Sequence, residues 1–130
     1  MASAEQHHTL KRPTFDTEVI ILIVVAPYYQ DIAEQMVAGA KAEIEATGGR
    51  WELVEVPGAL EVPTAIAIAH KQAQFDGYVA LGCVIRGETT HYDTVCTDSN
   101  RALPPLGLQG VCIGNGILTV ENRIQAEVRA

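Results

Sequence analysis

The segment that most restricts the fold is a run of seven apolar residues near the amino terminus, VIILIVV at positions 19–25. Six of the seven are β-branched, which favours extended backbone. Because apolar and polar residues do not alternate in this run, the strand that it predicts is covered on both faces, as in a parallel sheet. A chain with such a strand needs helices on either side of it.

Segments with helical periodicity alternate with further strand-like runs. The apolar residues of segment 31–46 recur at every fourth position, which is typical of an amphipathic helix, and two glycines follow it. These residues are Ile32, Met36, Ala40 and Ile44. The remaining segments predict strands at 51–56, 78–85 and 110–118 and helices at 61–74, 90–103 and 121–129. We expect the third helix to end near Leu103, because Pro104 and Pro105 follow it.

Four strands separated by helices predict an α/β fold: a three-layer α/β/α sandwich around a four-stranded parallel sheet, of the flavodoxin-like type. We expect one domain over residues 18–130, preceded by a flexible tail at 1–17, and a last helix capped by Thr119 or a neighbour. Ligands of such sheets gather at the carboxyl ends of the strands. The loops that follow the strands are therefore where we expect the functional residues.

The composition argues against several classes of protein. With 48% hydrophobic residues among 130, the chain has room for one core that buries about two-thirds of the unfolded surface. A formal net charge of −7 without a basic cluster argues against a nucleic-acid partner. No apolar run approaches the roughly 20 residues of a membrane span, and no signal peptide is evident. The three cysteines are expected to be free, buried thiols in a cytoplasmic protein.

The most informative motif is GCVIRGETTHYD at residues 82–93, where an apolar strand runs into a polar turn. Gly87 lets the backbone approach a ligand closely. Thr89 or Thr90 can cap the following helix, whose free N–H groups attract phosphate. His91 falls in the first turn of that helix, and an imidazole titrates near neutrality. The motif therefore predicts an anion site with a proton carrier beside it.

Three further motifs accompany this one in a fixed order: VVAPYY at 24–29, VPGALEVP at 56–63 and GNGILTVEN at 114–122. The complete set resembles the lumazine synthase family over residues 19–130. The resemblance implies a condensation of 5-amino-6-ribitylaminouracil with 3,4-dihydroxy-2-butanone 4-phosphate, which forms 6,7-dimethyl-8-ribityllumazine and releases phosphate and water in riboflavin biosynthesis. It implies that no metal and no organic cofactor is needed.

The resemblance also implies roles for individual residues. Tyr28 would stack on the pyrimidine, segment 59–61 would line the ring and hold the ribityl hydroxyls, and the backbone of 83–85 would pair with the pyrimidine edge. The turn at 87–89 would frame the phosphate, and His91 would transfer protons. The substrate-binding positions that it implies are Tyr28, Ala59, Leu60, Glu61, Cys83, Val84, Ile85, Gly87, Glu88, Thr89, Asn115 and Arg129.

Asn115 and Arg129 match positions that the family contributes from a neighbouring subunit, with Arg129 facing the phosphate. The expected partners are therefore the two small substrates and further copies of the chain, as a homopentamer or a sixty-subunit capsid. Arg86 is a second candidate for the phosphate, and it is equally suited to fixing its own loop. Members of the family continue past Arg129 with a closing helix, so we expect an exposed apolar flank if this chain is truncated.

Several alternatives stay open on the sequence alone. His91, Asp93 and Cys96 suggest a metal site, although their spacing spreads them around a helix. Tyr28 and Tyr29 could serve loop packing rather than stacking. A non-catalytic module that binds a flavin or a lumazine, or an idle assembly shell, would use the same fold. The presence of both the histidine and the phosphate-facing arginine favours an enzyme.

Overall fold

The computed structural model describes residues 9–72 and 74–130. In chain order the elements are β1 (Ile20–Val25), α1 (Gln30–Ala46), β2 (Arg50–Glu55), a 3₁₀ turn (Ala59–Glu61), α2 (Val62–Lys71), β3 (Gly77–Ile85), α3 (His91–Leu108), β4 (Ile113–Val120) and α4 (Arg123–Arg129). Strands and helices alternate as the sequence predicts. Apart from the end of α3, the boundaries lie within a few residues of the predicted ones.

The four strands are parallel and form one sheet in the order β2-β1-β3-β4. Side chains of β1 alternate between the two faces of this sheet. Leu22 and Val24 pack with residues of α2 and α3, whereas Ile23 and Val25 pack with residues of α1 and α4. All four are at most 6% exposed. The predicted three-layer α/β/α sandwich of the flavodoxin-like type is therefore confirmed.

The third helix is longer than we predicted. We expected α3 to end near Leu103, but the helix continues through Pro104 and Pro105 to Leu108. Both prolines are exposed, and on either side of them Leu103 and Leu106 pack against the same core. This packing offsets the cost of two missing main-chain hydrogen bonds, which is about 3 kcal/mol for each proline in a helix interior. The prediction failed because it weighed the prolines without the tertiary contacts.

The last strand is also shifted along the chain. β4 begins at Ile113 rather than near Gly110, because the longer α3 and its terminal turn occupy the preceding residues. We expected Asn115 at the end of the last strand. It is instead the third residue of β4 and lies opposite Ala80 of β3.

The end of α1 agrees with the sequence prediction, whereas the cap at the start of α4 does not. After α1, Gly48 adopts a left-handed backbone conformation with φ of 84°, as the Gly48-Gly49 pair predicts. α4 is capped by Asn122, whose side-chain oxygen accepts a hydrogen bond of 3.0 Å from the Gln125 amide. Thr119, which we expected near this cap, is a residue of β4.

Part of the predicted tail contacts the domain, and residues 1–8 of it lie outside the described residues. The Arg12 guanidinium donates to the Glu43 carboxylate at 2.7 Å. The Phe15 amide donates to the Thr47 carbonyl at 2.9 Å. Residues 12–15 therefore lie against the end of α1. Over 9–72 and 74–130, no helix combines the length and the apolar content that crossing a membrane requires.

The three cysteines are free within the described part of the chain. Cys83 is buried in β3 and Cys96 is half-buried in α3. Cys112 is exposed, so the expectation of a buried thiol at this position was wrong. The residue precedes β4 instead of lying inside it.

Replacing Pro105 by alanine is expected to stabilise the protein, because alanine restores a main-chain donor at an exposed helical position. We expect the free energy of unfolding in urea to rise by about 1–3 kcal/mol. Pro13→Ala changes an exposed proline outside the helices and is the matched control, with unchanged or slightly lower stability. A helix that ended at Leu103 would give no gain from Pro105→Ala.

Candidate active site

A cavity of about 490 Å³ lies at the carboxyl ends of the strands, where parallel sheets bind their ligands. Its volume is within the range of small-ligand sites, roughly 300–1,000 Å³. Three loops and the end of β3 contribute to it. Of the thirteen residues predicted for the site, ten line this cavity: Tyr28, Ala59, Leu60, Glu61, Cys83, Val84, Ile85, Gly87, Thr89 and His91.

One wall of the cavity is an overhang of β3. β1 pairs with β3 only as far as Leu81, whose carbonyl accepts a hydrogen bond of 2.9 Å from the Ala26 amide. On its other side, β3 pairs with β4 as far as Ile85. Residues 82–85 therefore have a strand neighbour on one side only. Because main-chain groups alternate in direction along a strand, those of Cys83 and Ile85 face the cavity and are available to a ligand.

The PGALE segment brings a carboxylate and an apolar side chain to the cavity. The Glu61 amide donates to the Gly58 carbonyl at 3.1 Å, which closes the 3₁₀ turn. A Cβ atom at Gly58 would lie 3.0 Å from Oε2 of Glu61, so the glycine leaves room for the carboxylate. Leu60 is 38% exposed. Its side chain can therefore contact a ligand, while Glu61 can accept hydrogen bonds from hydroxyl groups.

Tyr28 and Tyr29 occupy different environments in the loop after β1. Their ring centroids are 5.0 Å apart and the rings cross at 74°. Tyr29 packs against the core beside α1, whereas Tyr28 is 75% exposed. Packing within the loop accounts for Tyr29 but not for Tyr28. The Tyr28 ring is thus free to stack on a planar ligand.

His91 is the first residue of α3 and lines the cavity. The Thr89 hydroxyl oxygen accepts a hydrogen bond of 3.3 Å from the His91 amide, and it satisfies one free donor of the helix start. Thr90 occupies the cap position but makes no side-chain cap bond. Among the described residues, the His91 imidazole has no hydrogen-bond partner. Both ring nitrogens are therefore available for a proton transfer to or from a ligand.

Burial alters the acidity of three other groups at the cavity. Desolvation raises the pKa of the Cys83 thiol, and it raises the pKa of the Tyr29 and Tyr92 hydroxyls. All three groups are therefore neutral near neutral pH. A neutral thiol is a poor nucleophile, so Cys83 serves as wall rather than as a reactive group. Glu61 and His91 bring a carboxyl group and an imidazole to the same lining, and these are the groups most used in general acid–base catalysis.

Three predicted residues lie outside this cavity. Glu88 is exposed within the turn. Asn115 precedes the end of β4 by five residues, about 16 Å of strand. Arg129 lies on α4, which packs on the sheet face opposite to α3. Its guanidinium donates to the Gln125 carbonyl at 3.0 Å, and it has no carboxylate partner among the described residues.

The sequence analysis missed Tyr92 and Val95, which line the cavity next to His91. Helical periodicity could have found Val95, because it lies one turn after His91 on the same face of α3. Tyr92 lies inside the motif at 82–93, directly after His91, but the motif alone does not show where its ring points. Its ring lies under the Arg86 guanidinium, 4.3 Å from the ring centroid, and that contact depends on tertiary packing.

The three residues considered as metal ligands do not converge. His91 lines the cavity, Asp93 contacts Arg86 at 3.5 Å, and Cys96 lies beside Tyr92. Within residues 9–72 and 74–130, no group of three or more His, Cys, Asp and Glu side chains is arranged to hold a metal ion.

A second cavity, between α1 and β2, is slightly larger at about 550 Å³. None of the predicted site residues lines it. Its polar lining consists of Gln30, Glu34, Lys41 and Glu55. Because this cavity has no histidine and none of the predicted site residues, we assign the site to the smaller cavity.

Comparison with known sequences identifies relatives over nearly the whole chain. The family model described as 6,7-dimethyl-8-ribityllumazine synthase matches residues 18–130. The protein of that name from Jannaschia sp. (strain CCS1) is 60% identical over 118 residues, which cover 91% of this chain and 66% of the relative. The one from Novosphingobium aromaticivorans is 53% identical, with coverage of 84% and 78%. 6,7-Dimethyl-8-ribityllumazine synthase 1 from Rhizobium meliloti is 52% identical, with coverage of 86% and 77%.

The chain thus spans about two thirds of the length of the first relative and about three quarters of the other two. The matched region contains all four strands, the turns that follow them and every residue that lines the cavity. The similarity therefore extends to the site as well as to the sheet that supports it, and the chain belongs to the 6,7-dimethyl-8-ribityllumazine synthase family.

Proposed function

We propose that this chain condenses 5-amino-6-(D-ribitylamino)uracil with L-3,4-dihydroxy-2-butanone 4-phosphate to 6,7-dimethyl-8-ribityllumazine, with release of phosphate and water, in riboflavin biosynthesis. The main support is that the turn with Thr89 and His91 opens into the strand-end cavity, in a chain of this family. Family membership also favours an enzyme over a non-catalytic flavin-binding or lumazine-binding module.

The ribitylaminouracil is proposed to bind along the overhang of β3. Its ring stacks on Tyr28, and its polar edge pairs with the main chain of Cys83 and Ile85. Leu60 provides an apolar contact, and the Glu61 carboxylate accepts hydrogen bonds from the ribityl hydroxyls. This arrangement uses the edge of β3 that has no strand neighbour and the exposed ring of Tyr28.

Each stage of the proposed reaction moves protons. The amine attacks the ketone, phosphate leaves through an enol, and ring closure removes water. A single imidazole can accept the proton from the attacking amine and return it to a leaving oxygen. His91 is proposed for this role, because its ring has no competing partner among the described residues. Orientation of the two substrates in one cavity supplies much of the remaining acceleration.

The phosphate is proposed to bind at the turn formed by residues 87–89, against the start of α3. Arg86 is poorly available as its cation, because its guanidinium already contacts the carboxylates of Glu121 at 2.7 Å and Asp93 at 3.5 Å. Arg129 has no such carboxylate partner in the described chain. We therefore propose Arg129 as the phosphate ligand.

Arg129 and Asn115 lie away from the cavity of their own chain, so their proposed roles require a neighbouring subunit. A repeated head-to-tail contact that closes into a ring gives such shared sites. We propose a homopentamer, either alone or assembled further into a capsid. The free thiols suit the reducing conditions of the cytoplasm.

The decisive experiment is an assay of the purified protein with both substrates. Formation of the lumazine is followed by its absorbance and fluorescence, and phosphate release is measured in parallel. Equal amounts of the two products are expected. Binding of the ribitylaminouracil without any product would instead identify a non-catalytic module.

His91→Ala is expected to lower kcat by about 100-fold while the KM values change little, because it removes proton transfer but few binding contacts. Steady-state kinetics measures both constants. Thr97→Ala, an exposed change on the same helix, is the control and should retain full turnover. An unchanged kcat in His91→Ala would refute the assignment of proton transfer to this residue.

A mixture of His91→Ala and Arg129→Ala subunits is expected to regain part of the activity that each variant lacks alone. In a mixed ring, some cavities receive an intact His91 from one chain and an intact Arg129 from the next. Activity is measured after subunit exchange, which mass spectrometry of the assembly verifies. If exchanged rings stay inactive, the site is contained within one chain.

A further inference from the structure

Arg86 connects three segments that meet beside the candidate site. Its amide donates to the Val120 carbonyl at 3.0 Å, which extends the pairing of β3 with β4 by one residue. Its Nε donates to the Glu121 carboxylate at 2.7 Å, directly after β4. Its guanidinium also contacts the Asp93 carboxylate at 3.5 Å and covers the Tyr92 ring at 4.3 Å. One planar group thus holds the end of β4 and the start of α3.

The two α3 residues that Arg86 contacts follow His91 directly in the chain. Other bonds also hold this first turn. The Asp93 and Thr94 amides donate to the Thr90 carbonyl at 3.0 and 3.3 Å, and the His91 amide donates to the Thr89 hydroxyl at 3.3 Å. The Tyr92 hydroxyl is hydrogen-bonded to Thr119 of β4. Helix starts lack intrahelical partners for their first amides and fray easily. The contacts of Arg86 with Tyr92 and Asp93 add a side-chain restraint to these bonds, and they connect the turn to the end of β4 through Glu121.

The same contacts disfavour a role of Arg86 as an anion ligand. Two carboxylates, from Glu121 and Asp93, compensate its single positive charge. A phosphate would have to compete with both for the same donors. The stacked position over Tyr92 also restricts rotation of the guanidinium.

We propose that Arg86 is a positioning residue, which fixes the first turn of α3 so that the His91 imidazole faces the cavity. This inference rests on the proposed function for the role of His91. Arg86 itself touches no reacting atom in this account. Misplacement of a catalytic group by about 1 Å can cost roughly 100-fold in rate, so loss of the restraint is expected to appear in turnover.

The first test compares Arg86→Ala with Arg86→Lys. Both are expected to lower kcat by about 10- to 100-fold, with the KM for the butanone phosphate changed by no more than about twofold. Lysine keeps the charge but loses the fork and the planar face, so it restores little turnover. A raised KM for the phosphate substrate that Arg86→Lys rescues would overturn the proposal and identify an anion ligand.

Glu121→Gln gives a second test, in which the two roles predict changes in different kinetic constants. If Glu121 helps Arg86 to position the turn, loss of the carboxylate is expected to lower kcat. An anion-binding Arg86 predicts a lower KM for the phosphate substrate, because a competing carboxylate is gone. Arg50→Ala is the control, since Arg50 is also a surface arginine paired with a glutamate, Glu18, but on the edge strand β2. Its kcat should be unchanged.

Hydrogen–deuterium exchange tests the positioning role without an activity measurement. In Arg86→Ala, the peptide covering residues 86–96 is expected to exchange faster, while residues 97–108 of the same helix stay unchanged. If the Arg86→Ala variant exchanges faster over the whole chain, the milder Arg86→Lys variant is measured instead. Faster exchange in residues 86–96 and unchanged exchange in 97–108 are again expected. Unchanged exchange in residues 86–96 overturns the positioning role. Absence of product with the wild-type chain contradicts the proposed function instead, and the exchange result still stands.

Discussion

The unequal pairing of β3 with its two neighbours is the constraint on which the site depends. β1 stops four residues before the end of β3, while β4 accompanies β3 to Ile85. Had β1 been longer, its backbone would occupy the edge that now faces the cavity. The sheet thus creates a recognition surface from ordinary main-chain groups, which need no special side chain.

Local patterns predicted the strands and most helices because each of these segments carries its own periodicity. The β-branched run at 19–25 and the glycines after α1 are examples. Local patterns failed where distant contacts decide the structure. Burial of Leu103 and Leu106 carries α3 through two prolines, whereas the prolines taken by themselves predict that the helix ends. Ten of the thirteen predicted site residues line the cavity. Tyr92 was missed although it lies in the motif at 82–93, because the position of its ring depends on its contact with the Arg86 guanidinium.

Positive charge is scarce in this acidic chain, and the described arginines show how it is distributed. Arg123 pairs with Asp31 and so connects α4 to α1, and it lowers the pKa of that carboxyl through a hydrogen bond. Arg86 performs a similar connection on the opposite side of β3. Both cations are engaged by carboxylates within the fold. An anionic ligand must therefore rely mainly on main-chain amides and on a cation that the fold does not use, such as Arg129.

The two prolines within α3 also affect what this helix can contact. A helical Pro104 and Pro105 leave the carbonyl oxygens of Asn100 and Arg101 without the amide donors that a regular helix supplies. These acceptors lie on an exposed stretch of the helix, so water must hydrate them. A purely apolar surface that covered this stretch would strip the water away and leave both oxygens unsatisfied. Any protein surface that packs across the middle of α3 therefore has to bring hydrogen-bond donors or retain a layer of solvent.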